Sequence, residues 1–356
     1  MNRKKIAFCI TCMNRLRHLQ QTLEKNIQDN YLPDEVEFVL LDYNSKDGLD
    51  KWVLHYMQQH IDSGILVYYK TFEPTHYQRS HSRNMAFRLA NAEILCNLDA
   101  DNFLGKGFAD FIIQEFSKQD NIFYTNNYSL NDTYGRVCIR NEDFLSIRGY
   151  NEALSGYGYE DNDFQNRLIQ NGLKPVSFYN PEFYNFVLHS DEDRISDEFM
   201  ANNVILMFIT YINPHSSGIL LLYRDNTVEH YILTDNSQLD ELVQNEDFYD
   251  ERRRVVIDDE VLKLIWKEED NSILINDKEE MYKISKESTK IDFKGLTYYK
   301  VEDGELKAKI FVLLSSAINY NISKKQINIQ SIINPSGFGR GKVFKNFNCT
   351  KVNILS

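Results

Sequence analysis

The sequence predicts an α/β protein with a doubly wound domain followed by a smaller, mostly β domain. Between residues 6 and 117, short apolar runs alternate with segments of helical period, which is typical of a sheet covered by helices. After about residue 214 the pattern changes to short strands separated by polar turns. The chain has 356 residues, and a chain of this length is usually too long for a single hydrophobic core. We therefore expect domains at residues 1–213 and 214–356.

The first domain is expected to contain four buried strands. Each strand is followed by a helix, so the strands should be parallel, and ligands of such sheets bind at the carboxyl ends of the strands. Polar clusters follow three of the strands, at residues 11–15, 42–47 and 99–101. The predicted strands are 6–11, 37–42, 66–70 and 93–98, and the predicted helices are 16–29, 50–63, 80–92 and 107–117.

The second domain is expected to be built from alternating strands. A helix at residues 197–213, which ends before Pro214, is predicted to join the two domains. The predicted strands are 218–223, 228–234, 254–257, 262–266, 272–275, 296–301, 306–314 and 326–333.

Charge and hydropathy exclude several classes of function. The formal net charge is -12, which argues against non-specific binding to nucleic acid or to anionic lipid. The longest apolar run, residues 204–212, is about half as long as a membrane span needs, and the N-terminal segment does not resemble a signal peptide. We therefore expect a cytoplasmic protein, either soluble or peripheral to the inner membrane face.

A D-x-D triplet follows the fourth predicted strand. Alternation along an extended chain would point Asp99 and Asp101 the same way, and paired carboxylates suit hard cations such as Mn²⁺ or Mg²⁺. Alone, such a triplet is often a solvated acidic loop. The buried strand before it favours a metal site.

A second cluster combines glycine, tyrosine and acidic residues before a helical pattern. Gly158 would permit close approach of the backbone to a ligand, and Tyr157 and Tyr159 could offer flat faces to a sugar ring. Glu160 and Asp161 would lie at the helix start, where the helix dipole keeps a carboxylate ionised, as a general base requires. The alternative is an acidic helix cap flanked by core tyrosines.

These segments, with the first strand, resemble the GT-A fold glycosyltransferases of the family 2 type over about residues 5–190. The chain is particularly similar to Golgi beta-galactosyltransferases and to bacterial chondroitin-type polymerases. Residues 11–15 match the family's first nucleotide motif, and residues 149–152 and 156–163 match its acceptor motif. Tyr157 stands where these relatives usually have Trp, and Tyr159 where they have Gly. The acceptor therefore stays open.

The resemblance implies a role for each matching residue. His189 corresponds to a metal-binding histidine of the family; a structural histidine is the alternative, and His215 is a weaker candidate. The implied roles are donor binding by Thr11, Asn14, Arg15, Asp42, Arg83, Asn84 and Asp99, metal binding by Asp101 and His189, acceptor binding by Tyr157, Gly158, Tyr159 and Glu160, and catalysis by Asp161 as the base.

The resemblance also implies the reaction. We expect a metal-dependent, inverting transferase with Mn²⁺ or Mg²⁺, which moves a hexosyl or N-acetylhexosaminyl group from a UDP-linked donor to a saccharide or lipid-linked saccharide, in bacterial surface polysaccharide or glycoconjugate synthesis. The role of the β-rich domain stays open.

Three other classes of protein were weighed. One is a non-catalytic carbohydrate- or nucleotide-binding protein with a degenerate transferase domain, against which the presence of both Asp101 and Asp161 speaks. A phosphatase with a D-x-D nucleophile would carry the motif on the first strand, whereas here it follows the fourth predicted strand. A dehydrogenase is disfavoured because no G-x-G-x-x-G follows the first strand.

Overall fold

The protein is described here by a computed structural model. It describes residues 3–126, 133–235, 255–257, 262–270, 272–277, 280–285 and 287–355. The strands are β1 Lys4–Cys12, β2 Val36–Tyr43, β3 Leu66–Thr71, β4 Ala92–Asn97, β5 Ile122–Thr125, β6 Val137–Arg140, β7 Lys174–Val176, β8 Val204–Asn213, β9 Ser216–Tyr223, β10 Thr227–Asp235, β11 Val255–Ile257, β12 Leu262–Glu269, β13 Ser272–Asn276, β14 Met281–Ser285, β15 Lys290–Phe293, β16 Leu296–Lys300, β17 Gly341–Lys345 and β18 Asn348–Leu355.

The helices complete the framework. They are α1 Leu16–Asp29, α2 Leu49–Tyr56, α3 Gln58–Asp62, α4 Arg79–Leu89, α5 Phe108–Lys118, α6 Asn141–Ser146, α7 Glu160–Gln170, a short 3-10 helix Pro181–Tyr184, α8 Asp191–Ile195, α9 Phe199–Asn203 and α10 Gly304–Asn328. Within the described ranges, no helix is both long and apolar enough to cross a membrane.

The chain divides into two compact units. The first consists of Met1–Ser155, Glu160–His189 and Ser331–Ser356, and the second of Gly156–Tyr159 and Ser190–Gln330. This division differs from the predicted boundary at residue 213. The reason is that β8 pairs with β9 in the second unit, whereas β17 returns to pair with β3 in the first.

The first unit is built on a mixed sheet with the order β18-β17-β3-β2-β1-β4-β6-β5-β7. The strands β3, β2, β1 and β4 run parallel, as predicted. Both faces of β1 are buried because α1 and α5 cover one face and α4 covers the other. The register pairs Cys12 with Asp42 and Cys9 with Asn97, so the carboxyl ends of β1, β2 and β4 lie at one edge.

The second unit is an antiparallel sheet with the order β14-β13-β12-β10-β9-β8-β16-β15, and β11 pairs with β10. One core is made only of strand residues, such as Leu220, Trp266 and Phe293. The end strands β14 and β15 contact one another, so the sheet curls around this core. Helix α10 covers the opposite face with Phe311 and Leu314. The predicted fold class, an α/β region followed by a β-rich region, is confirmed.

Two predicted strands, 306–314 and 326–333, are wrong. Residues 306–314 and the start of the second segment lie within the single helix α10, whose first turn is capped by the Asp303 side chain through the Leu306 amide. An apolar run of this length fits a strand or a buried helix equally well by periodicity. The chain has no proline or glycine between Gly304 and Pro335, and this was the neglected signal for a continuous helix.

The predicted helix at residues 197–213 is also wrong. Residues 204–213 form β8, and only the short helix α9 precedes it. The segment Val204–Asn213 is rich in β-branched and aromatic residues, whose side chains favour a pleated surface over a helix.

The C-terminal residues belong to the core of the first unit. Strand β17 pairs antiparallel with β3 through Phe344 and Lys70, and Val343 is fully buried. Phe338 packs against the same core, and the Gly339 amide donates to Glu152 Oε1 at 2.6 Å.

This return of the chain makes a testable prediction. Replacing buried Val343 by Asp should lower the free energy of unfolding of the first unit by about 3 kcal/mol or more, because it buries an unpaired carboxylate. Lys342→Asp, at the exposed neighbouring position, should change it by less than about 1 kcal/mol. Chemical denaturation of the full chain measures both, and equal effects would show that β17 is not part of the core.

Candidate functional site

The end of β1 lies in a hydrogen-bonded polar corner. The Thr11 hydroxyl is 2.6 Å from the Tyr77 hydroxyl. Asn14 adopts a positive φ of 53°, and its side chain accepts a hydrogen bond from the Lys46 amide at 2.6 Å. Arg15 follows as the residue before α1. Three predicted donor contacts, Thr11, Asn14 and Arg15, therefore lie together in the turn that leaves the sheet edge.

The Asp42 carboxylate lies in a buried, hydrogen-bonded environment at the end of β2. Its carboxylate is fully buried, accepting from the Ser45 amide at 2.7 Å and from the Tyr68 hydroxyl at 2.7 Å, and Lys70 Nζ is 3.2 Å away. Both oxygens are thus used within the protein. The side chain thus stabilises the end of β2, and its contact with a nucleotide base stays a prediction.

The D-x-D motif brings Asp101 to His189. Asp101 Oδ2 lies 2.7 Å from His189 Nε2, and its Oδ1 accepts from Asn102 Nδ2 at 2.8 Å. Burial opposes ionisation of Asp101, but the hydrogen bond and charge of His189 outweigh it and hold the pKa of Asp101 below its usual value. The pair joins the end of β4 to the segment before α8.

A second histidine, which the sequence analysis missed, adjoins this pair. The ring of His18, on α1, meets the His189 ring edge to face with centroids 5.6 Å apart. Burial and the nearby Arg15 lower the pKa of His18 to about 4, so the ring is neutral. The sequence signal for His18 was its position on the predicted helix, three residues after Arg15 of the first motif.

Side chains of α1 fix the backbone of the D-x-D loop. Thr22 Oγ1 donates to the Ala100 carbonyl at 2.7 Å, and Asn26 Nδ2 donates to the Asn102 carbonyl at 2.9 Å. The Val187 amide donates to the Asp101 carbonyl at 2.8 Å. The loop is therefore held from both sides by groups that carry no charge.

A buried arginine clamps the two segments that bear Asp101 and His189. Arg136 Nη2 donates to the Phe103 carbonyl at 2.8 Å and to Asn102 Oδ1 at 3.2 Å, and Nη1 donates to the Phe183 carbonyl. Arg136 is 1% exposed, and burial lowers its pKa. Sequence reasoning missed it because its hydrogen-bond partners among the described residues are two carbonyls and an amide, which leave no charge pattern in the sequence.

A second buried arginine gathers three carboxylates. Arg83 Nη1 lies 2.8 Å from Asp161 Oδ1 and 3.4 Å from Glu160 Oε1, and Nη2 lies 3.3 Å from Asp99 Oδ1. Burial works against its charge, but Asp161 and Asp99 raise the pKa of Arg83 above its usual value. We call these four residues, Arg83, Asp99, Glu160 and Asp161, the Arg83 cluster.

The proton affinity of Asp161 is unusual. Burial, reinforced by repulsion from Glu160 and Asp99, raises the pKa of Asp161 to about 7 despite the attraction of Arg83. The carboxylate lies on the first turn of α7 and its side chain is 14% exposed, so it remains accessible. A carboxylate of this kind can accept or donate a proton near neutral pH.

Two further features shape the Arg83 cluster. Glu160 Oε2 is buried and accepts no hydrogen bond from the residues that the structure describes. Gly135 passes so close that a Cβ there would lie 3.0 Å from Arg83 Nη2, 3.1 Å from Asp99 Oδ2 and 3.2 Å from Asp161 Oδ2. A side chain at Gly135, another residue that the sequence analysis missed, would therefore crowd the charged groups of the cluster.

Asn84 has a structural environment in place of the predicted donor contact. Its side chain is fully buried, accepts from the Tyr150 amide at 2.7 Å, and donates to the Tyr150 carbonyl and to Glu152 Oε1, both at 2.9 Å. These bonds fix Tyr150 and Glu152 to α4, the helix that carries Arg83.

The remaining predicted acceptor residues, Tyr157, Gly158 and Tyr159, belong by their packing to the second unit. Tyr157 does not offer a free ring face as predicted, because its ring packs with the core of that unit and lies 5.0 Å from the Arg194 guanidinium. The weaker metal candidate, His215, lies in the turn between β8 and β9.

Comparison with known families confirms part of the resemblance. A family model described as the N-terminal domain of galactosyltransferase matches residues 118–190. That stretch contains the acceptor motif, Glu160, Asp161 and His189. No curated protein matches the chain.

Solved structures of several transferases are similar to this chain at low sequence identity. A mannosyltransferase from Pyrobaculum calidifontis in complex with GDP-Man and Mn²⁺ is 17% identical, with a TM-score of 0.42 over 51% of this chain and 56% of that one. TarS 1-349 from S. aureus in complex with UDP-GlcNAc is 15% identical, with a TM-score of 0.40 over 53% and 63%. GalNAc-T7 with UDP, GalNAc and Mn²⁺ is 16% identical, with a TM-score of 0.42 over 49% and 42%. The chain thus spans less than two thirds of each.

The Arg136 clamp gives a second prediction. Arg136→Met should lower the free energy of unfolding by about 2–4 kcal/mol, because buried carbonyls of Phe103 and Phe183 lose their donor. The matched control is Arg140→Met, at the end of the adjoining strand β6. The Arg140 side chain is 23% exposed, and its loss should cost less than about 1 kcal/mol. Chemical denaturation compares the two. A loss no larger than that of the control would show that Arg136 clamps nothing.

Proposed function

We propose that the chain is a metal-dependent glycosyltransferase that moves a sugar from a nucleotide diphosphate, UDP in the first instance, to a saccharide hydroxyl. The observation that carries the proposal is the Arg83 cluster, which joins the D-x-D motif to the acidic start of α7. It places Asp161, with a pKa of about 7, beside the strand edge at which ligands of such sheets bind. The galactosyltransferase family match over residues 118–190 supports it independently.

Asp161 is the proposed base. Arg83 donates a hydrogen bond to Oδ1 of Asp161 and holds the carboxylate in place. The acceptor hydroxyl would give its proton to this carboxylate while the hydroxyl oxygen attacks the anomeric carbon. The bond from that carbon to the diphosphate oxygen breaks in the same step, and the diphosphate leaves with the bonding electrons. One base and no covalent intermediate predict inversion at the anomeric carbon. Glu160 Oε2, buried and unbonded among the described residues, is suited to accept a second hydrogen bond from the acceptor.

Asp101 and His189 are the residues that would hold a divalent cation. The described residues contain no group of three or more His, Cys, Asp or Glu side chains that could bind one alone. A carboxylate 2.7 Å from an imidazole nevertheless fits Mn²⁺, or Mg²⁺, if donor phosphates complete the ligand set. When bound, the ion would offset the negative charge of the departing diphosphate. Arg136, Thr22 and Asn26 hold the loop that positions Asp101.

The setting of the reaction is part of the proposal. By resemblance we assign the enzyme to bacterial surface polysaccharide or glycoconjugate synthesis, on the cytoplasmic side of the membrane, with a saccharide or lipid-linked saccharide as acceptor. Galactose, N-acetylgalactosamine, N-acetylglucosamine and glucuronic acid are the donor sugars to be distinguished.

A donor screen tests the activity. Purified chain with Mn²⁺ should release UDP from one or more UDP-linked sugars, faster when a saccharide acceptor is present, and chelation by EDTA should abolish the release. A panel of UDP- and GDP-linked sugars, with nucleotide diphosphate as the readout, gives the donor. Binding of a donor without any turnover would favour the non-catalytic sugar- or nucleotide-binding alternative.

The base assignment has its own test. Asp161→Asn should lower kcat by about 100- to 10,000-fold, since the amide cannot accept the proton, with the donor KM changed by less than about threefold. Asp110→Asn, an exposed site on α5, is the matched control and should keep wild-type kinetics. Transfer by Asp161→Asn at the wild-type rate would show that another group is the base.

The pH profile follows from the raised pKa. A base must be ionised, and Asp161 is ionised above its pKa of about 7, so log kcat/KM should rise with unit slope up to about pH 7 and then level. The same limb should be missing from the residual activity of Asp161→Asn. Steady-state kinetics in buffers of constant ionic strength measure it. A rate undiminished down to pH 5 would contradict the assignment.

A further inference from the structure

The segment Gly156–Tyr159 has an unusual backbone that something must hold. Gly156 has φ 77°, Gly158 has φ 94°, and Tyr159 has φ 71°. Two of these residues are glycines, which adopt such values freely, but a positive φ strains an aromatic residue. Tyr159 also stands where the related transferases usually have glycine. The strain persists only if neighbouring groups fix the conformation.

Helix α10 supplies those groups. Asn319 Nδ2 donates to the Gly158 carbonyl at 2.8 Å, and the Tyr320 ring meets the Tyr159 ring edge to face with centroids 5.2 Å apart. A Cβ on Gly158 would lie 2.7 Å from Ser316 Oγ, so this serine packs directly on the backbone. Three neighbouring side chains of α10, at positions 316, 319 and 320, therefore define one surface that fits the segment.

The other side of the segment is fixed within the same unit. Arg194 Nη1 donates a hydrogen bond to the Tyr157 hydroxyl at 2.5 Å, and the guanidinium lies over the Tyr157 ring. A Cβ on Gly156 would lie 2.8 Å from Ser315 Oγ. Both the ring and the hydroxyl of Tyr157 are thus held by contacts within the second unit.

We infer that the second unit is the acceptor-recognition unit of the proposed transferase, and that Asn319 and Tyr320 are positioning residues that hold Tyr159 for a saccharide acceptor. The inference rests on the proposed function. The segment belongs to the second unit by its packing, yet Tyr159 is followed directly in the chain by Glu160 and Asp161. Helix α10 therefore fixes the backbone of the segment that directly precedes Glu160 and Asp161, the residues proposed to bind and activate the acceptor.

This assignment gives the second unit a specific role in the reaction. The sheet and α10 bury their own cores, so the unit can present the segment rigidly. Positioning through α10 should change how well the acceptor binds and should leave donor binding unchanged, because none of the residues proposed to bind the donor or the metal belongs to this unit. Acceptor and donor kinetics therefore separate the role from a general loss of structure.

Tyr320→Leu and Asn319→Ala test the inference in the full-length chain. With the donor found in the screen and p-nitrophenyl glycosides of galactose, N-acetylgalactosamine, N-acetylglucosamine and glucuronic acid as acceptors, each variant should raise the acceptor KM about tenfold or more. The donor KM and the slow release of UDP without acceptor should stay within about twofold. Tyr299→Leu, an exposed tyrosine on β16 of the same unit, is the matched control and should change none of these constants.

Tyr159→Gly provides a second variant that should fold, because glycine adopts the positive φ without strain. It should melt at the wild-type temperature or higher, measured by circular dichroism, and raise the acceptor KM as Tyr320→Leu does. An unchanged acceptor KM in Tyr159→Gly and in Tyr320→Leu would overturn the inference, as would equal losses of donor and acceptor binding.

The failure of this inference can be told from the failure of the proposed function. A wild-type chain that releases UDP from a donor, but is not accelerated by any glycoside of the panel, would overturn acceptor recognition by the second unit and leave the transferase chemistry standing. A wild-type chain that neither binds nor turns over any donor would overturn the proposed function itself.

Discussion

A buried arginine with three carboxylate neighbours is the constraint on which the proposed site depends. Without Arg83, the carboxylates of Asp99, Glu160 and Asp161 would face one another in a poorly solvated space. With it, the cluster stays together although burial still leaves Asp161 with a pKa of about 7. At Asp161 the effect of burial outweighs the attraction of Arg83. That imbalance is what keeps a proton-accepting group available near neutral pH, and it places a stability cost at the site.

The sequence predicted the parallel part of the first unit because that part depends on local patterning. Buried runs and amphipathic helices at the expected spacing specified β1, α1, β2, β3, α4, β4 and α5 nearly to their ends. Topology then brought the strand ends together. Asp101 and His189 were expected at one site only through resemblance, and the contact of Asp161 with Arg83 was not expected, since no local rule brings residues so distant in sequence into contact.

The errors came from segments whose structure depends on their tertiary surroundings. The apolar runs in α10 and β8 do not reveal from period alone whether a helix or strand forms, and the partner surface decides. Arg136 has uncharged hydrogen-bond partners, which leave no pattern in the sequence, and the full burial of Asp42 and Asn84 depends on tertiary packing that the sequence does not show. The return of β17 to the first sheet leaves no sequence signal before the partner strand is known.

The most direct test of the Arg83 cluster is a double-mutant cycle of Arg83→Met and Asp161→Asn, with the free energy of unfolding measured at pH 8. At that pH Asp161 is ionised, so removal of the arginine alone should be strongly destabilising, and Asp161→Asn should recover part of the loss. We expect a coupling free energy of at least about 1.5 kcal/mol. Effects that add within about 0.5 kcal/mol would contradict the claim that Arg83 holds the carboxylates of the proposed active site together.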